Sequence, residues 1–291
     1  KGNFITLCRK LNLTEVPEAL RVGDQIQAIE PEESVQLKTY SREWAEIPHN
    51  DLLADKDNAL TELKKRGFSE ETIRKFGIGV TREHNGKTSF SPLWLIPYYT
   101  QGIFGQSITC IKYRTIPPAE KKMWREKDMD SPLFNAQAID YGAEQVVLCE
   151  GEFDAMSLWQ CGHRNVVSTS TGAKGFKPEW VQALSDFKTI ILCYDGDTAG
   201  QSATRDLIRR LGEDRCYTVP IPSGQDANDI LQNHGEQFLF DLVNNTVTSP
   251  VEGVDQVSTV IERDMADLMS GDKPEGLDWL FPSMVKSLGK V

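Results

Sequence analysis

No stretch of this 291-residue chain approaches the ~20 consecutive apolar residues that a membrane-spanning helix needs, so no membrane partner is expected. The six cysteines (Cys8, Cys110, Cys149, Cys161, Cys193 and Cys216) include no C-x-x-C pair, which excludes a zinc ribbon of the usual spacing from this sequence. No secretory signal precedes them, and a reducing compartment is expected. Cys149 and Cys193 lie inside apolar, strand-like runs and read as small core residues. Histidine is scarce, at four residues; His163 and His234 each adjoin a glycine and read as surface turn residues without a role. Positive charge is also short: 32 Lys and Arg stand against 43 Asp and Glu, for a net charge of −11. A general nucleic-acid coat, which is basic, is thereby excluded. An enzyme that handles nucleic acid through metal ions and one local basic stripe is not.

What is present is an ordinary globular composition, 39% hydrophobic and 26% charged, in a chain long enough for two domains or one large one with appendages. Residues 1–45 carry little organised signal; "KGNFITLCRKLNL" is compatible with a short helix, and "EPEESVQ" reads as a solvated acidic linker. In "NALTELKKRGF", Leu60 and Leu63 share a helical face and Gly67 is placed to stop the helix. "SEETIRKFGIGV" follows, with Ser69 as N-cap and acids in the first turn. Residues 89–114, aromatic, β-branched and punctuated by turns, predict two or three antiparallel strands. From 145 to 232 the apolar runs "QVVLC", "NVVSTS", "TIILCY" and "CYTVPI" alternate with helical segments near 154–160, 178–186 and 199–211, the rhythm of a mostly parallel sheet covered by helices. Near 255–270, Val257, Val260, Ile261, Met265 and Leu268 recur at helical spacing and predict one amphipathic helix. There is no internal repeat or low-complexity tract.

The acids fall in a pattern. "VVLCEGEFDAMSLW" ends an apolar run in Glu150, Glu152 and Asp154; "ILCYDGDTAG" ends one in Asp195 and Asp197; "IPSGQDANDIL" places Asp226 and Asp229 after a fourth run. Ligands of open α/β sheets gather outside the carboxyl ends of the strands, and three strands here bring carboxylates to that edge. Gly151 and Gly196 each follow an acid and allow close backbone approach. Three independent helix N-caps would produce similar local patterns. Carboxylates so close together repel unless a cation intervenes, and a donor set of oxygens alone selects a hard cation, Mg²⁺ or Mn²⁺. Mg²⁺ keeps coordination positions open for phosphates, so the chemistry indicated is phosphoryl transfer.

Glu150-Gly151-Glu152-Phe153-Asp154 and Asp195-Gly196-Asp197-Thr198-Ala199-Gly200 resemble the two signature motifs of the Toprim domain, which primases, topoisomerases and some nucleases share. "DSPLFN" at 130–135 resembles the segment that precedes this domain in primases; "GQDANDIL" at 224–231 and "RGFSEETIRKFGIG" resemble parts of phage-type primase–helicases and Twinkle-like proteins. The resemblance spans roughly residues 50–245. It implies an α/β Toprim domain, a mostly parallel sheet with helices on both faces, at 145–245, preceded by a smaller α+β primase subdomain at 46–144 that binds nucleotide and template. Residues 1–45 then form a linker following a zinc-binding module, and residues 246–291 a linker helix toward a ring helicase; no G-x-x-x-x-G-K-[ST] of that helicase lies in this sequence.

The activity implied is DNA primase: ribonucleotides joined on single-stranded DNA with Mg²⁺ or Mn²⁺. The resemblance carries catalysis to Glu150, Asp195 and Asp197, and metal binding to these with Asp226. Glu150 is either the base for the attacking 3′-hydroxyl or a ligand. Asp154 is expected to hold the turn or to be a solvated acid, and Glu152 to be uninvolved. Lys112, Arg114, Lys121 and Lys122 are the expected triphosphate-binding cations, against the alternative of a solvated charged loop; Trp124 either stacks on a base or belongs to the core, and Lys174 reaches phosphate on weaker grounds. The expected partners are template, ribonucleoside triphosphates and a helicase domain of a longer chain, with the present piece monomeric. The cytoplasm of a bacterial or phage-infected cell is the expected location, or a mitochondrion or plastid for a Twinkle-like protein. The alternatives are an inactive primase-like module that binds single strands and supports a helicase ring, and a Toprim nuclease.

Overall fold

The structure, a computed structural model, describes residues 37–102, 105–169 and 175–248. The readings made for the first 36 residues, for Lys174 and for the amphipathic segment at 255–270 fall outside these. Two sheets organise the described residues. The first is antiparallel and five-stranded, with β1 (Tyr40–Ser41), β4 (Gly105–Thr115), β3 (Lys87–Gly102) and β2 (Gly79–His84) in that order and β5 (Met123–Arg125) also paired to β4. Three helices accompany it: α1 (Arg42–Leu53), α2 (Ala59–Lys65) and α3 (Glu70–Phe76). Their boundaries follow the local chemistry. Leu60 and Leu63 are buried on one side of α2, and Gly67 then takes φ +83°, a left-handed turn open to glycine. The Ser69 hydroxyl accepts from the Thr72 N–H to cap α3, with Glu70 and Glu71 in its positive first turn.

The second sheet has the order β10-β9-β8-β6-β7, from β6 (Gln145–Cys149), β7 (Val166–Ser168), β8 (Thr189–Cys193), β9 (Cys216–Thr218) and β10 (Val247–Thr248); β10 alone is antiparallel. Its continuous apolar runs are explained by burial on both faces. Val147, Cys149, Ile191 and Cys193 point to one side, toward α4 (Glu152–Gln160) and α7 (Ala227–Asn244). Val146, Leu148, Ile190 and Leu192 point to the other, toward α5 (Pro178–Ala183) and α6 (Thr198–Leu211). Cys149 and Cys193, opposite each other in adjacent strands and 0% and 3% exposed, are core residues as expected.

The two sheets share one interior. Trp94, Tyr98 and Phe76 from the first and Val147, Phe153, Met156 and Ile191 from the second belong to a single apolar cluster. Helix α4 runs through it, with every residue from Glu152 to Trp159 buried. "DSPLFN" forms the strap between the sheets: Phe134 exchanges backbone hydrogen bonds with Ser168, and the Asn135 amide donates to the Val166 carbonyl at 2.8 Å. His163 corrects the expectation made for it. It is 8% exposed rather than on the surface, because α7 lays Phe240 over its ring at 5.1 Å. His234 is exposed as expected, just before Gly235 interrupts α7 at φ +84°.

Candidate active site

The carboxyl edge of the second sheet and the inner face of the first enclose a cavity of about 240 Å³. Its acidic wall is Glu150, Glu152, Asp154, Asp195 and Asp226; its basic wall is Arg66, Lys112, Arg114 and Lys121. Glu150 immediately follows β6, where the Thr169 hydroxyl donates to its carbonyl at 3.1 Å. Asp195 follows β8 by two residues. Its loop is tied to the one before α7: Gly196 N–H donates to the Gln225 carbonyl at 3.0 Å, and Gly224 N–H to the Gly196 carbonyl at 3.4 Å. A side chain at 196 would have its Cβ 2.0 Å from the Pro222 carbonyl oxygen, so glycine is what lets the Asp195 and Asp226 loops lie side by side.

The N-cap reading is also correct locally. Asp197 accepts from Gly200 N–H at 2.7 Å to cap α6, and Asp226 accepts from Asp229 N–H at 2.7 Å to cap α7. The caps are nonetheless not independent. Burial raises the Glu150 carboxyl above its ordinary value, and the charges of Asp197 and Asp226 raise it further. Asp195 is pushed up to about 7, first by burial and then by Glu150, Asp226 and Asp197. Asp226 is raised by burial and by Asp229, against its own hydrogen bond from the Asp229 N–H. Lys121 opposes the rise at all three. Groups that shift one another occupy one site.

Asp154 is buried at 7% and is not a solvated acid. It accepts from Gly151 N–H at 3.2 Å and from Asn228 N–H at 3.3 Å, joining the start of α4 to the start of α7. Burial, then Asp226 and Asp195, raise it strongly. Among the described residues no three His, Cys, Asp or Glu side chains already form a closed metal cluster. What the site offers a cation is a set of part-buried, mutually repelling carboxylates on separate loops, Glu150, Asp195 and Asp226 with Asp197 beside them, all with oxygen donors. That chemistry suits a hard divalent ion that brings its own waters.

The cations come from strand parity. Lys112 and Arg114 alternate with buried Tyr113 along β4 and face the cavity together. Arg114, 8% exposed, stacks on Phe153 at 4.3 Å, and burial lowers its guanidinium to about 10. Lys112 donates to Glu152 at 2.5 Å. Of the adjacent lysines only Lys121 lines the cavity. Lys122 is exposed, pairs with Glu120 at 2.9 Å and is not brought to the site, because its backbone N–H is fixed on the Thr115 hydroxyl. Trp124 packs on His84 and Tyr113 within the first sheet. Arg66 was given no role by sequence, although "RGF" was singled out; it reaches Asn228 at 3.3 Å and lies over Trp94 and Phe153. Glu152, expected to be uninvolved, and Asn228, to which the sequence gives no role, also line the cavity.

Residues 147–231 match the family described as Toprim-like. This stretch is a Toprim-like domain. It holds every acid of the cavity wall, while the cations lie ahead of it in sequence. Over 171 residues the chain is 28% identical to the primase homolog protein of Arabidopsis thaliana, covering 51% of this chain and 49% of that one. It is 27% identical over 173 residues to the chloroplastic/mitochondrial Twinkle homolog protein of the same plant, covering 52% and 24%. The chain thus spans half or less of the length of these curated relatives. Its structure resembles the primase fragment of the bacteriophage T7 primase-helicase protein with a TM-score of 0.51 at 25% identity, covering 62% of this chain and 72% of that one. The Toprim-like domain and the antiparallel sheet before it therefore make a primase-type fold, as the sequence implied. Among the described residues no helix is long and apolar enough to cross a membrane.

Proposed function

We propose that this chain is the RNA-polymerising core of a DNA primase, joining ribonucleotides on a single-stranded DNA template as part of a primase–helicase. The observation that carries the reading is the cavity itself, in which acids that follow three strands perturb one another and share the lining with four cations. In this reading residues 46–144 bind nucleotide and template and 145–245 carry the chemistry. Asp195, Asp197 and Asp226 hold Mg²⁺ or Mn²⁺, with Glu150 as a further ligand or as base. The bound ion supplies charge neutralisation at the transferred phosphate. Burial, Asp197 and Asp226 raise the Glu150 carboxyl, which makes it a stronger base for the 3′-hydroxyl proton. Arg114, Arg66 and Lys121 orient the triphosphate, and the rigid backbone contacts of the Asp195 and Asp226 loops keep the carboxylates in place. The names of the relatives support primase chemistry, and that of the T7 primase-helicase supports a place beside a helicase.

The test is incorporation of radiolabelled ribonucleotides on single-stranded templates with Mg²⁺, with Mn²⁺ and with neither. Metal-dependent oligoribonucleotides support the reading. Template binding without any synthesis under all three conditions favours the second reading, a non-catalytic module that supports a helicase.

A further inference from the structure

Glu152 differs from the other acids of the cavity. It is 2% exposed, and its charge is not among the leading ones that raise Glu150, Asp195 or Asp226. Its Oε1 instead accepts from two side chains of the antiparallel sheet, the Lys112 ammonium at 2.5 Å and the hydroxyl of fully buried Tyr98. Lys112 itself is held with only 12% of its side chain exposed, at the wall of the cavity.

We propose that Glu152 and Tyr98 are positioning residues that fix the Lys112 ammonium at the cavity wall, aimed at the phosphates of an incoming nucleoside triphosphate. This rests on the nucleotide-joining function proposed above. A free lysine has a flexible four-carbon stem and spreads its charge over many rotamers. Bound to a carboxylate that is itself anchored by Tyr98, it has one. An ammonium has three donors, and Glu152 takes one, which leaves donors for phosphate oxygens. Because the pair is neutral as a unit, Lys112 acts through directed hydrogen bonds, while the long-range attraction of the triphosphate falls to Arg66, Arg114 and Lys121. The second acid of the "EGE" run thus serves the nucleotide through Lys112 and does not serve the metal.

The experiment is calorimetric titration of ATP with Mg²⁺ into the full chain for wild type, Glu152→Gln, Tyr98→Phe, Lys112→Met and the Glu152→Gln/Lys112→Met double variant. Glu152→Gln and Lys112→Met are each expected to weaken ATP about tenfold, Tyr98→Phe about twofold to threefold. The double variant is expected to bind no worse than Lys112→Met, since Glu152 acts only through that lysine. It also leaves no lone charge buried, so it remains the folded comparison if Glu152→Gln alone does not fold. In synthesis, Glu152→Gln raises the KM for ribonucleotide and leaves the half-activating Mn²⁺ concentration unchanged. The proposal is overturned by a double variant that loses the product of the two single effects, by a Glu152→Gln protein that binds ATP like wild type, or by a shift in the Mn²⁺ requirement, which would make Glu152 a ligand. Wild type that binds ATP with this coupling but never incorporates it retains the proposal and removes the polymerase reading; wild type that does not bind ATP removes both.

Discussion

Replacing Asp195 by Asn should make the metal-free protein more stable while abolishing synthesis. The substitution keeps the shape and removes the charge that burial, Glu150, Asp226 and Asp197 disfavour. A carboxyl raised from 3.8 to about 7 corresponds, at about 1.36 kcal/mol per pH unit, to ~4 kcal/mol before screening. Asp195 is only part-buried, and solvent screening reduces this to ~1–2 kcal/mol. Between pH 3.8 and about 7 the folded chain keeps a proton that the unfolded chain has released, so wild-type stability falls as pH rises through that window and the loss is complete above it. The gain from Asn is therefore small near pH 4 and full at pH 8, where it amounts to ~2–3 °C in Tm for a chain of this size. Urea and thermal unfolding followed by tryptophan fluorescence in EDTA, at both pH values, provides the measurement. Saturating Mg²⁺ should reverse the order: a ligand at a hundred times its Kd stabilises wild type by ~2.7 kcal/mol and the variant far less. Equal stabilities at pH 8 in EDTA, or a gain that is larger at pH 4, would refute the electrostatic account of the site.

Lys121→Ala should raise the apparent KM for ribonucleotide about tenfold, a loss of ~1.4 kcal/mol, whereas Lys122→Ala should stay within about twofold, and steady-state incorporation separates them. Gly196→Ala should destabilise the fold by ~1–3 kcal/mol, because its Cβ would meet the Pro222 carbonyl oxygen at 2.0 Å, and should cut synthesis further than that by parting the Asp195 and Asp226 loops. A crystal structure showing those loops unmoved would contradict this. His163, whose imidazole burial holds below its ordinary pKa of 6.5, favours the folded state fully above that value and loses this contribution as pH falls through the lower folded value. His163→Phe, which keeps the stack on Phe240, should flatten the urea midpoint between pH 7.5 and pH 5.

The second sheet was legible because its chemistry is local and repetitive. Apolar runs such as "TIILC" have both faces buried, and those of β6 and β8 are followed within two residues by Glu150 and Asp195, just ahead of helices. Lys112 and Arg114 are expected from the resemblance, and the structure puts them on one face of β4 because residues two apart on a strand share a face. Lys121 and Lys122 lie in a loop ahead of β5, where no period decides which faces inward; the register of β5 on β4, Met123 against Arg114, decides it. Glu152, expected to be uninvolved, is the first residue of α4, and no local pattern announces its partners, since Tyr98 and Lys112 arrive from 54 and 40 residues away. His163 was misjudged for a related reason: a glycine beside it signals a turn, but α7 covers that turn from a later part of the chain. Arg66 ends a helix by its sequence, and nothing local says that the end abuts the acids.

The shared apolar interior has a mechanical consequence. Enzymes that close over a substrate usually do so by rotating two bodies about a hinge, each with its own core. Here the wall that bears the cations and the wall that bears the acids are fused through Trp94, Tyr98, Phe153 and Met156, with α4 embedded between them. A rotation would have to tear that interior open. The separation of the walls is thus tied to one shared core, and under the proposed function a growing strand would advance through a gap that domain rotation does not open.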